Sequence, residues 1–463
     1  MSLIHDDTIA AISTPLGSAG IGKIRISGSR SLDVAVNIFR GVKDKNLKEE
    51  KAFTAHYGHI VDSETDKIVD EVICIIYKEP HSFTGEDVVE LDCHGGTIVL
   101  QKVLELVLKN GARLAEPGEF SKRAFLNGRI DLAQAEGIME VINSRTERSL
   151  EVALSHLGGK LSSKIENIKN KVVKLFAHLE AAIDFPEDEI EGFRSTDLEN
   201  RLINIKKDIE ILLASSNQGK IYREGLKTVI VGKPNVGKSS LMNILLEEKR
   251  AIVTDIPGTT RDIIEEYVNI GGIPLRIIDT AGIRQTEDLV EKIGVEKAQK
   301  SLLEADLILM MIDISQGVTE NDLKIYELVK EQDLIVLVNK TDLDTTFDDK
   351  LLKKYFSQHT ILKISIKEEI GIEELKKAII NEVLDEEIKS SEELFITRTR
   401  HKNALDKALK AIERVIKSYH KKLPYDFYTI DMRDCLDALG EITGETVTED
   451  IIDQIFKDFC LGK

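Results

Sequence analysis

The stretch TVIVGKPNVGKSS, residues 228–240, constrains the fold more than any other part of this chain. A β-branched run leads into Gly232, the pattern G-x-x-x-x-G-K-S follows, and the next residues, SSLMNILLEE, have helical periodicity. Strand, glycine-rich loop and helix in this order form a phosphate-binding loop, in which backbone N–H groups and a helix N-terminus surround the phosphates. The sequence therefore predicts an α/β nucleotide-binding domain, with Lys238 on the β- and γ-phosphates and the Ser239 hydroxyl on Mg²⁺.

Two further strand ends are typical of a guanine-nucleotide site. RIIDTAG, residues 276–282, ends a strand at Asp279, which can hold Mg²⁺ through water. LIVLVNKTD brings another strand to Asp342, whose carboxylate can accept hydrogen bonds from guanine N1–H and the 2-amino group. Adenine lacks both donors, and the unsatisfied carboxylate would cost about 1–3 kcal/mol. The three motifs in this order predict a GTPase, with Ser365 closing the base pocket.

Two positions near this site depart from the small signalling GTPases. Those proteins place a glutamine after D-T-A-G to orient the attacking water, whereas this chain has Ile283, so another group must act. Asn235 lies inside the phosphate loop, where its amide oxygen can bind a cation, and TDIPGTTRD, residues 254–262, supplies Thr260 for Mg²⁺. The residues predicted to surround GTP are Asn235, Val236, Gly237, Lys238, Ser239, Ser240, Thr254, Asp255, Ile256, Pro257, Gly258, Thr259, Thr260, Asp279, Thr280, Ala281, Gly282, Asn339, Lys340, Asp342 and Ser365.

Length and composition place this domain within a larger protein. A chain of 463 residues with 42% hydrophobic residues can bury two or three separate cores. It has no apolar stretch of about eighteen residues, and its first residues lack the order of a signal peptide, so neither a membrane span nor export is predicted. The cysteines have no metal-type spacing and are too few for a disulfide framework, which favours a reducing cytoplasm. They are Cys74, Cys93, Cys435 and Cys460.

The pattern of strands and helices predicts a multidomain α/β protein. The N-terminal part mixes strands such as IGKIRISG and IVDEVICIIYKEP with a helix that ends at Gly111, typical of an α+β domain. Purely helical periodicity follows, behind a predicted N-cap at Asp131, and returns near the C-terminus. The phosphate-loop domain is thus predicted to be inserted into an all-helical domain, with the polar stretch SSNQGKIYREG as linker. The predicted boundaries are 1–120 (α+β), 121–215 and 385–463 (helical), and 222–384 (α/β).

The formal net charge of −18 argues against broad, non-specific binding of nucleic acid, but it allows a local basic surface. Two basic stretches are present, RTRHK at residues 398–402 and a set of lysines on one predicted helix. Because helix surfaces commonly carry such charges, a solvated face is the favoured interpretation of both. The lysines on the helix are Lys160, Lys164, Lys169, Lys171 and Lys174.

Several stretches resemble one family along nearly the whole chain. GKPNVGKSS, TDIPGTTRD and DTAGIR are similar to the Era-like GTPases, while PGEFSKRAFLNGRIDLAQAEG and the terminal FCLGK resemble the MnmE family, also called TrmE, of tRNA modification GTPases. The resemblance implies a K⁺-activated cytoplasmic GTPase that forms a homodimer and, with the FAD-containing protein MnmG, a heterotetramer. Together they would add an aminomethyl or carboxymethylaminomethyl group to C5 of the wobble uridine of certain tRNAs. A folate derivative, 5-formyl- or methylene-tetrahydrofolate, would supply the one-carbon unit.

The resemblance also assigns roles that the residues alone do not. It places K⁺ on the Asn235 side chain and on the backbone carbonyls of Thr254, Ile256 and Thr259, where its charge can act on the phosphates. It gives the water-orienting role to Glu291, acting through a bridging water. Without the resemblance, Glu291 would be interpreted as a solvated acid on a helix face.

The N-terminal part resembles the folate-binding fold of aminomethyltransferases. This implies that Arg25, Glu90 and Arg129 bind the folate, although from the residues alone each would be interpreted as half of a surface salt bridge. The chain ends in CLGK where the family usually has C-I-G-K. The resemblance implies that this tail folds back to the folate site, with Lys463 as a further folate-binding residue and Cys460 as a catalytic residue.

An alternative from another functional class is a GTP-gated binding module, such as a ribosome-assembly GTPase. Such a protein shares the middle domain. It lacks the folate-like N-terminal domain and the Cys-x-Gly-Lys tail, so these flanking regions favour the tRNA modification family.

Overall fold

The computed structural model describes residues 7–42, 46–184, 195–247, 265–278, 302, 304–343, 349–383 and 394–463. Contacts between Cα atoms separate the chain into two compact units. Unit 1 comprises Met1–Met139, Leu157–Lys169 and Leu436–Lys463, and unit 2 comprises Glu140–His156 and Asn170–Cys435. The chain is therefore a multidomain protein, while the four domain boundaries given above remain predictions.

The described strands are β1 Ile9–Ile12, β2 Ala19–Ser27, β3 Phe39–Gly41, β4 Thr54–Asp62, β5 Lys67–Tyr77, β6 Val88–Gly95, β7 Arg113–Leu114, β8 Leu226–Gly232, β9 Glu265–Ile270, β10 Ile273–Ile278, β11 Leu307–Asp313, β12 Leu334–Asn339 and β13 Thr360–Lys363. The described α-helices are α1 Ser31–Ile38, α2 Thr97–Lys109, α3 Glu119–Leu126, α4 Leu132–Asn143, α5 Glu147–Leu157, α6 Lys160–Asp184, α7 Ser195–Ala214, α8 Ser216–Glu224, α9 Lys238–Glu247, α10 Glu320–Val329, α11 Asp349–Phe356, α12 Ile372–Val383, α13 Thr399–His420, α14 Asp426–Thr443 and α15 Glu449–Lys457. Among these helices, none is both long and apolar enough to cross a membrane.

Unit 1 is built on a seven-stranded sheet with the order β3-β4-β5-β6-β2-β1-β7. Its neighbouring strands are antiparallel, except that β1 and β7 pair in parallel. Side chains alternate along β2, so that Ile24 and Ile26 enter the core with Val34 of α1 and Leu100 of α2. The opposite face of β2 carries the polar side chains of Lys23, Arg25 and Ser27, and a candidate functional site lies there.

Several local predictions for unit 1 are confirmed. The two predicted strands are β2 and β5, and the predicted helix is α2, which ends just before Gly111 with its φ of 107°. Asp131 caps α4 as predicted, because its Oδ1 accepts a hydrogen bond from the Gln134 N–H at 2.8 Å. Gln134 Oε1 in turn accepts from the Asp131 N–H at 3.0 Å. This reciprocal pair is a capping box, which satisfies two backbone donors at once.

Unit 2 contains a six-stranded sheet with the order β13-β12-β11-β8-β10-β9, parallel throughout except for the β9–β10 hairpin. Every residue of β11 and β12 is buried. Strands of a parallel sheet covered on both faces read as continuous apolar runs, as these do. The carboxyl ends of β8 and β12 meet at one edge, which brings the loops after Gly232 and Asn339 together.

The helices of unit 2 depart from the sequence prediction at one place. Residues 215–225 were expected to form a linker, but they contain helix α8, so this prediction is wrong. Tyr222 is buried with its ring centroid 5.2 Å from that of Phe395. Gly219 lies so close to the carbonyl oxygen of Ile396 that a Cβ there would be 2.3 Å away. Because these partners lie far along the chain, the local polar composition did not reveal them.

A buried polar network joins α4 and α5 to the segment before α13. Three donors lie 2.9 Å from the Glu140 carboxylate: His156 Nδ1, Thr397 Oγ1 and Arg398 Nε. The other ring nitrogen of His156 lies 2.8 Å from the Phe395 carbonyl oxygen, so each ring nitrogen faces an acceptor. A buried carboxylate with this many donors satisfies the requirement that buried charge be paired and hydrogen-bonded.

We expect Glu140→Ala to lower the free energy of unfolding by about 3–5 kcal/mol, because it removes the buried acceptor that His156, Thr397 and Arg398 share. Urea denaturation followed by circular dichroism measures this. The matched control is Glu151→Ala on α5, whose exposed carboxylate pairs with Arg148 at 3.0 Å and should contribute about 0–1 kcal/mol. Equal losses for the two variants would contradict the assigned role of the network.

The same network predicts a dependence of stability on pH. Burial acts to raise the pKa of Glu140, but the hydrogen bond and charge of His156, with Arg398 and Thr397, lower it from 4.5 to about 2. Because the folded-state pKa is depressed, the stabilisation is fully present above pH 4.5 and is lost as pH falls towards 2. Urea titrations across this range should therefore show a smaller loss for Glu140→Ala than for the unmodified chain.

Candidate functional site

The phosphate loop connects β8 to α9 in the predicted strand–loop–helix order. Three of its residues have positive φ: Gly232 at 147°, Asn235 at 62° and Gly237 at 108°. Asparagine tolerates this left-handed conformation better than most side chains. At Gly237 an added Cβ would lie 2.5 Å from Asn339 Nδ2, so the close approach of the two loops requires glycine.

Lys238 is the first residue of α9, and its side chain curls back over the loop. Its Nζ donates to the carbonyl oxygens of Gly232 and Lys233, each at 2.8 Å. Partial burial lowers the pKa of Lys238. Its ammonium is held at the mouth of the loop, where it can turn from two neutral carbonyls to phosphate oxygens, which bind a cation more strongly. The hydroxyls of Ser239 and Ser240 follow it, both on exposed residues.

The predicted base-binding residues lie together at the ends of β12 and β13. Asn339 bridges two loops, since its Nδ2 donates to Val236 O at 2.8 Å and its Oδ1 accepts from the Ile366 N–H at 3.2 Å. Ser365 Oγ donates to Asp342 Oδ1 at 2.7 Å, and this hydrogen bond lowers the pKa of Asp342. The ionised carboxylate therefore has its orientation fixed and a second oxygen available to a base.

Lys340 completes this region through a residue that the sequence analysis missed. Its φ is 68°, and its Nζ lies 2.6 Å from Oδ2 of Asp313, the last residue of β11. An acid at the end of a buried apolar strand, as in LILMMID, is the signal that could have identified Asp313. The salt bridge aligns the side chain of Lys340 beside the predicted base pocket.

The rest of the predicted nucleotide site lies outside the described residues. Within the part of the chain that is described, no group of three or more His, Cys, Asp or Glu side chains could hold a metal ion. The Ser239 hydroxyl fits Mg²⁺, which binds oxygen ligands and commonly takes several from phosphates and water. The predicted residues beyond the described ranges are Thr254, Asp255, Ile256, Pro257, Gly258, Thr259, Thr260, Asp279, Thr280, Ala281, Gly282 and Glu291.

A second candidate site lies on the polar face of the sheet in unit 1. Arg25 on β2 is directly opposite Glu90 on β6, and its guanidinium donates to Glu90 Oε1 at 2.9 Å from Nε. Lys23, which the sequence analysis missed, donates to the other oxygen of Glu90 at 2.5 Å. Burial acts to raise the pKa of Glu90, but the hydrogen bond from Lys23 and the charge of Arg25 lower it. The carboxylate is thus held ionised in a buried position.

Aromatic rings line this cluster. The Arg25 guanidinium lies 5.1 Å from the centroid of Phe83 and 5.6 Å from that of Phe120. Arg129 also lies 5.1 Å from the Phe83 ring and donates to the Phe83 carbonyl oxygen at 3.0 Å. Cation–π contacts of this kind position a guanidinium while leaving its hydrogen-bond donors available. The structure therefore places the guanidinium groups of Arg25 and Arg129 at the Phe83 ring, with Glu90 bound to Arg25.

The C-terminal tail reaches the same cluster. Arg25 Nη1 lies 3.5 Å from the Gly462 carbonyl oxygen, and the Cys460 carbonyl accepts from the Lys463 and Gly118 N–H groups at 3.3 and 3.4 Å. Burial and the nearby charge of Arg25 lower the pKa of Lys463. Cys460 itself is exposed. The tail therefore lies beside Arg25, while its predicted role at a folate site stays a prediction.

Family models and curated relatives match this chain along nearly its whole length. Two family models match, "GTP-binding protein TrmE N-terminus" over residues 8–129 and "MnmE helical domain" over residues 132–460. The curated "tRNA modification GTPase MnmE" of Alkaliphilus oremlandii is 52% identical over 458 residues, 99% of each chain. The protein of the same name from Clostridioides difficile is 51% identical over an equal length and share. Among solved structures, Era of Aquifex aeolicus bound to GDP and AlF4− is 32% identical over 40% of this chain and 65% of its own, with a TM-score of 0.28.

Proposed function

Because this chain belongs to the MnmE family of tRNA modification GTPases, we propose that K⁺ activates its GTP hydrolysis and that hydrolysis serves modification of the wobble uridine. The group added at C5 is aminomethyl or carboxymethylaminomethyl. The observation that carries the GTPase assignment is the pair of loops after β8 and β12, joined by the hydrogen bond from Asn339 to Val236 O. This contact ties the phosphate-binding and base-binding elements into one site.

Residues of the phosphate loop and of the base pocket are proposed to have separate roles in GTP hydrolysis. The backbone N–H groups around Gly237 and the N-terminus of α9 bind phosphate oxygens. Lys238 exchanges its two carbonyl partners for β- and γ-phosphate oxygens, and Asp342 holds the guanine. When bound, Mg²⁺ at Ser239 and Thr260 and K⁺ at the loop supply positive charge beside oxygens that gain negative charge during hydrolysis.

The K⁺ proposal is supported by the geometry of Asn235. Its left-handed φ of 62° is unusual for a residue with a side chain, and its side chain is exposed at the loop. We propose that its amide oxygen and the carbonyls of Thr254, Ile256 and Thr259 bind the ion. Glu291 then orients the attacking water through a second water, a role that Ile283 cannot perform.

The expected result is GTP turnover roughly tenfold or more faster in K⁺ than in Na⁺ at equal ionic strength, because a positive charge at the developing anion lowers the barrier. Asn235→Ala should remove most of this difference while GTP still binds. Asn217→Ala, on α8, is the matched amide control and should keep it. Equal turnover of the unmodified chain in the two ions would rule out activation by K⁺.

In unit 1 we propose that Arg25, Glu90, Arg129 and Lys463 bind a tetrahydrofolate derivative. The Glu90 carboxylate suits the amidine-like edge of a pterin. Both Nε and Nη2 of Arg25 approach its Oε1, while its Oε2 keeps a lone pair beyond the bond from Lys23. Guanidinium and ammonium groups suit the carboxylates of the ligand. When bound, the folate supplies a one-carbon unit. We propose the exposed Cys460 as a catalytic residue in the transfer of this unit.

We expect Glu90→Gln to weaken binding of 5-formyl-tetrahydrofolate about tenfold or more, because a charged hydrogen bond contributes about 1.5–3 kcal/mol. Isothermal titration calorimetry measures this affinity, with Glu64→Gln as the control, because Glu64 is an exposed acid in the β4–β5 hairpin.

Cys460→Ser should retain folate binding and GTP turnover but lose uridine modification in a reconstituted reaction. Full modification by Cys460→Ser would remove its proposed chemical role.

The remaining parts of the proposal concern partners. We propose a homodimer that acts in the cytoplasm with the FAD-containing MnmG as a heterotetramer on certain tRNAs. We also propose the domain division 1–120, 121–215 with 385–463, and 222–384.

The role of this chain beside MnmG is tested by mass analysis of tRNA nucleosides from a reaction that contains MnmG, with or without this chain. Modified uridine that forms equally in both reactions would contradict it.

A further inference from the structure

Helices α6 and α7 enclose a groove of about 430 Å³ in unit 2, and its lining residues belong to neither of the two candidate sites. Its walls carry the cations Lys171 and Lys174 from α6 and Arg201 and Lys207 from α7, against the single carboxylate of Asp208. Lys171 and Lys174 belong to the basic stretch that the sequence alone favoured as a solvated helix face. The structure places two further cations of α7 opposite them, which one helix considered by itself could not reveal.

The ion pairs leave part of this charge uncompensated. Lys171 Nζ lies 2.6 Å from Asp208 Oδ2, and Arg201 pairs with Asp197, one turn earlier on α7, at 2.7 Å. Lys174 and Lys207 form no ion pair with any residue that the structure describes. Like charges collected in one groove repel each other, and an anion that binds between them relieves this repulsion.

The groove also has an apolar component. Ile205 on its floor is buried, and Ile211 at its side is 56% exposed. A ligand that fits must therefore present negative charge to the lysines and a less polar surface to the isoleucines. The sugar–phosphate backbone of RNA has both properties, because its phosphates alternate with riboses. A free inorganic anion offers only the first.

We propose that this groove between α6 and α7 binds the phosphodiester backbone of an RNA. The proposal rests on the proposed function, in which tRNA is the substrate, and it identifies where this chain holds it. The net charge of −18 disfavours non-specific attraction of a polyanion to this chain. A local cluster of lysines is then required for binding, and Lys174 and Lys207 supply it.

The test is the affinity of the full-length chain for tRNA, measured by fluorescence anisotropy over a range of KCl concentrations. We expect the double variant Lys174→Gln with Lys207→Gln to bind about tenfold more weakly at physiological salt. The slope of log affinity against log salt should decrease by about 1.8 if two duplex phosphate contacts are lost. The control, Lys160→Gln with Lys353→Gln, removes the same charge from exposed positions outside the groove and should bind as the unmodified chain does.

Two further readouts separate this inference from the proposed function. GTP turnover without tRNA should be unchanged in the double variant, since neither lysine is among the residues proposed to bind the nucleotide. Failure of the unmodified chain to hydrolyse GTP would contradict the proposed function instead. Unchanged affinity and salt slope in the double variant would overturn the groove assignment. A double variant that loses binding of inorganic triphosphate but retains tRNA would also overturn it, because the groove would then serve a free anion.

Discussion

Replacing Lys238 with alanine is expected to slow GTP turnover about 10³-fold, the largest effect that the nucleotide site predicts. The loss of one preorganised donor to a developing charge commonly costs roughly 10²–10³ in rate, and Lys238 contributes a full positive charge. In the structure its ammonium is already at the loop, held by the carbonyl oxygens of Gly232 and Lys233. Little rearrangement is therefore needed for it to reach a bound phosphate.

Single-turnover measurement of phosphate release, with GTP in excess over its dissociation constant, tests this prediction. The matched control is Lys227→Ala, which removes a lysine near the opposite end of β8 and should leave turnover unchanged within about twofold. Melting curves of both variants show whether the fold is retained. If the Lys238→Ala variant hydrolysed GTP within about threefold of the rate of the unmodified chain, the assigned role of Lys238 would be excluded.

Replacing Asp342 with asparagine is expected to change the preferred base. The carboxylate can accept from both guanine N1–H and the 2-amino group, and a hydrogen bond to a charged group contributes about 1.5–3 kcal/mol. Asparagine keeps one acceptor and presents a donor in place of the other. Affinity for GTP should thus fall about 10²-fold, while xanthosine triphosphate, which has a carbonyl at C2, should bind about 10²-fold better than it does to the unmodified chain.

Competition binding with both nucleotides measures this exchange. Ser365→Ala is the informative companion, because it removes the 2.7 Å hydrogen bond that orients Asp342 while leaving the carboxylate in place. It should weaken both nucleotides by a similar, smaller factor of about tenfold or less. If Asp342→Asn weakened GTP and xanthosine triphosphate equally, Asp342 would not be the residue that reads the base.

The sequence was most informative where function depends on consecutive residues. The phosphate loop and the strand that ends in Asn339 require their residues in a fixed local order, so these strands and the helix after the loop were predicted correctly. The same holds for the cap at Asp131, whose partner Gln134 is three residues away. Periodicity and capping are local properties, and a single chain shows them directly.

The sequence was least informative where a contact depends on register or on a distant partner. The pairing of Arg25 with Glu90 follows from the alignment of β2 with β6, which no local pattern specifies. The residues of helix α8 were predicted to be a linker. The partner that buries Tyr222 of this helix is Phe395, which is remote in sequence, so no local pattern revealed the contact. The groove between α6 and α7 likewise needs both helices in place before its charges can be counted.

The contacts of α8 have a consequence for how this protein can be rebuilt. Ser215 Oγ accepts a hydrogen bond from the Ile396 N–H at 3.1 Å, and Gly219 lies against the same residue, so the chain enters and leaves the nucleotide-binding portion at adjacent points. Chain ends that lie side by side can be bridged or exchanged with little disturbance. Under the proposed domain division, this junction lies where the chain enters and leaves the GTP-binding part, and a short bridge across it is the natural point at which to replace that part.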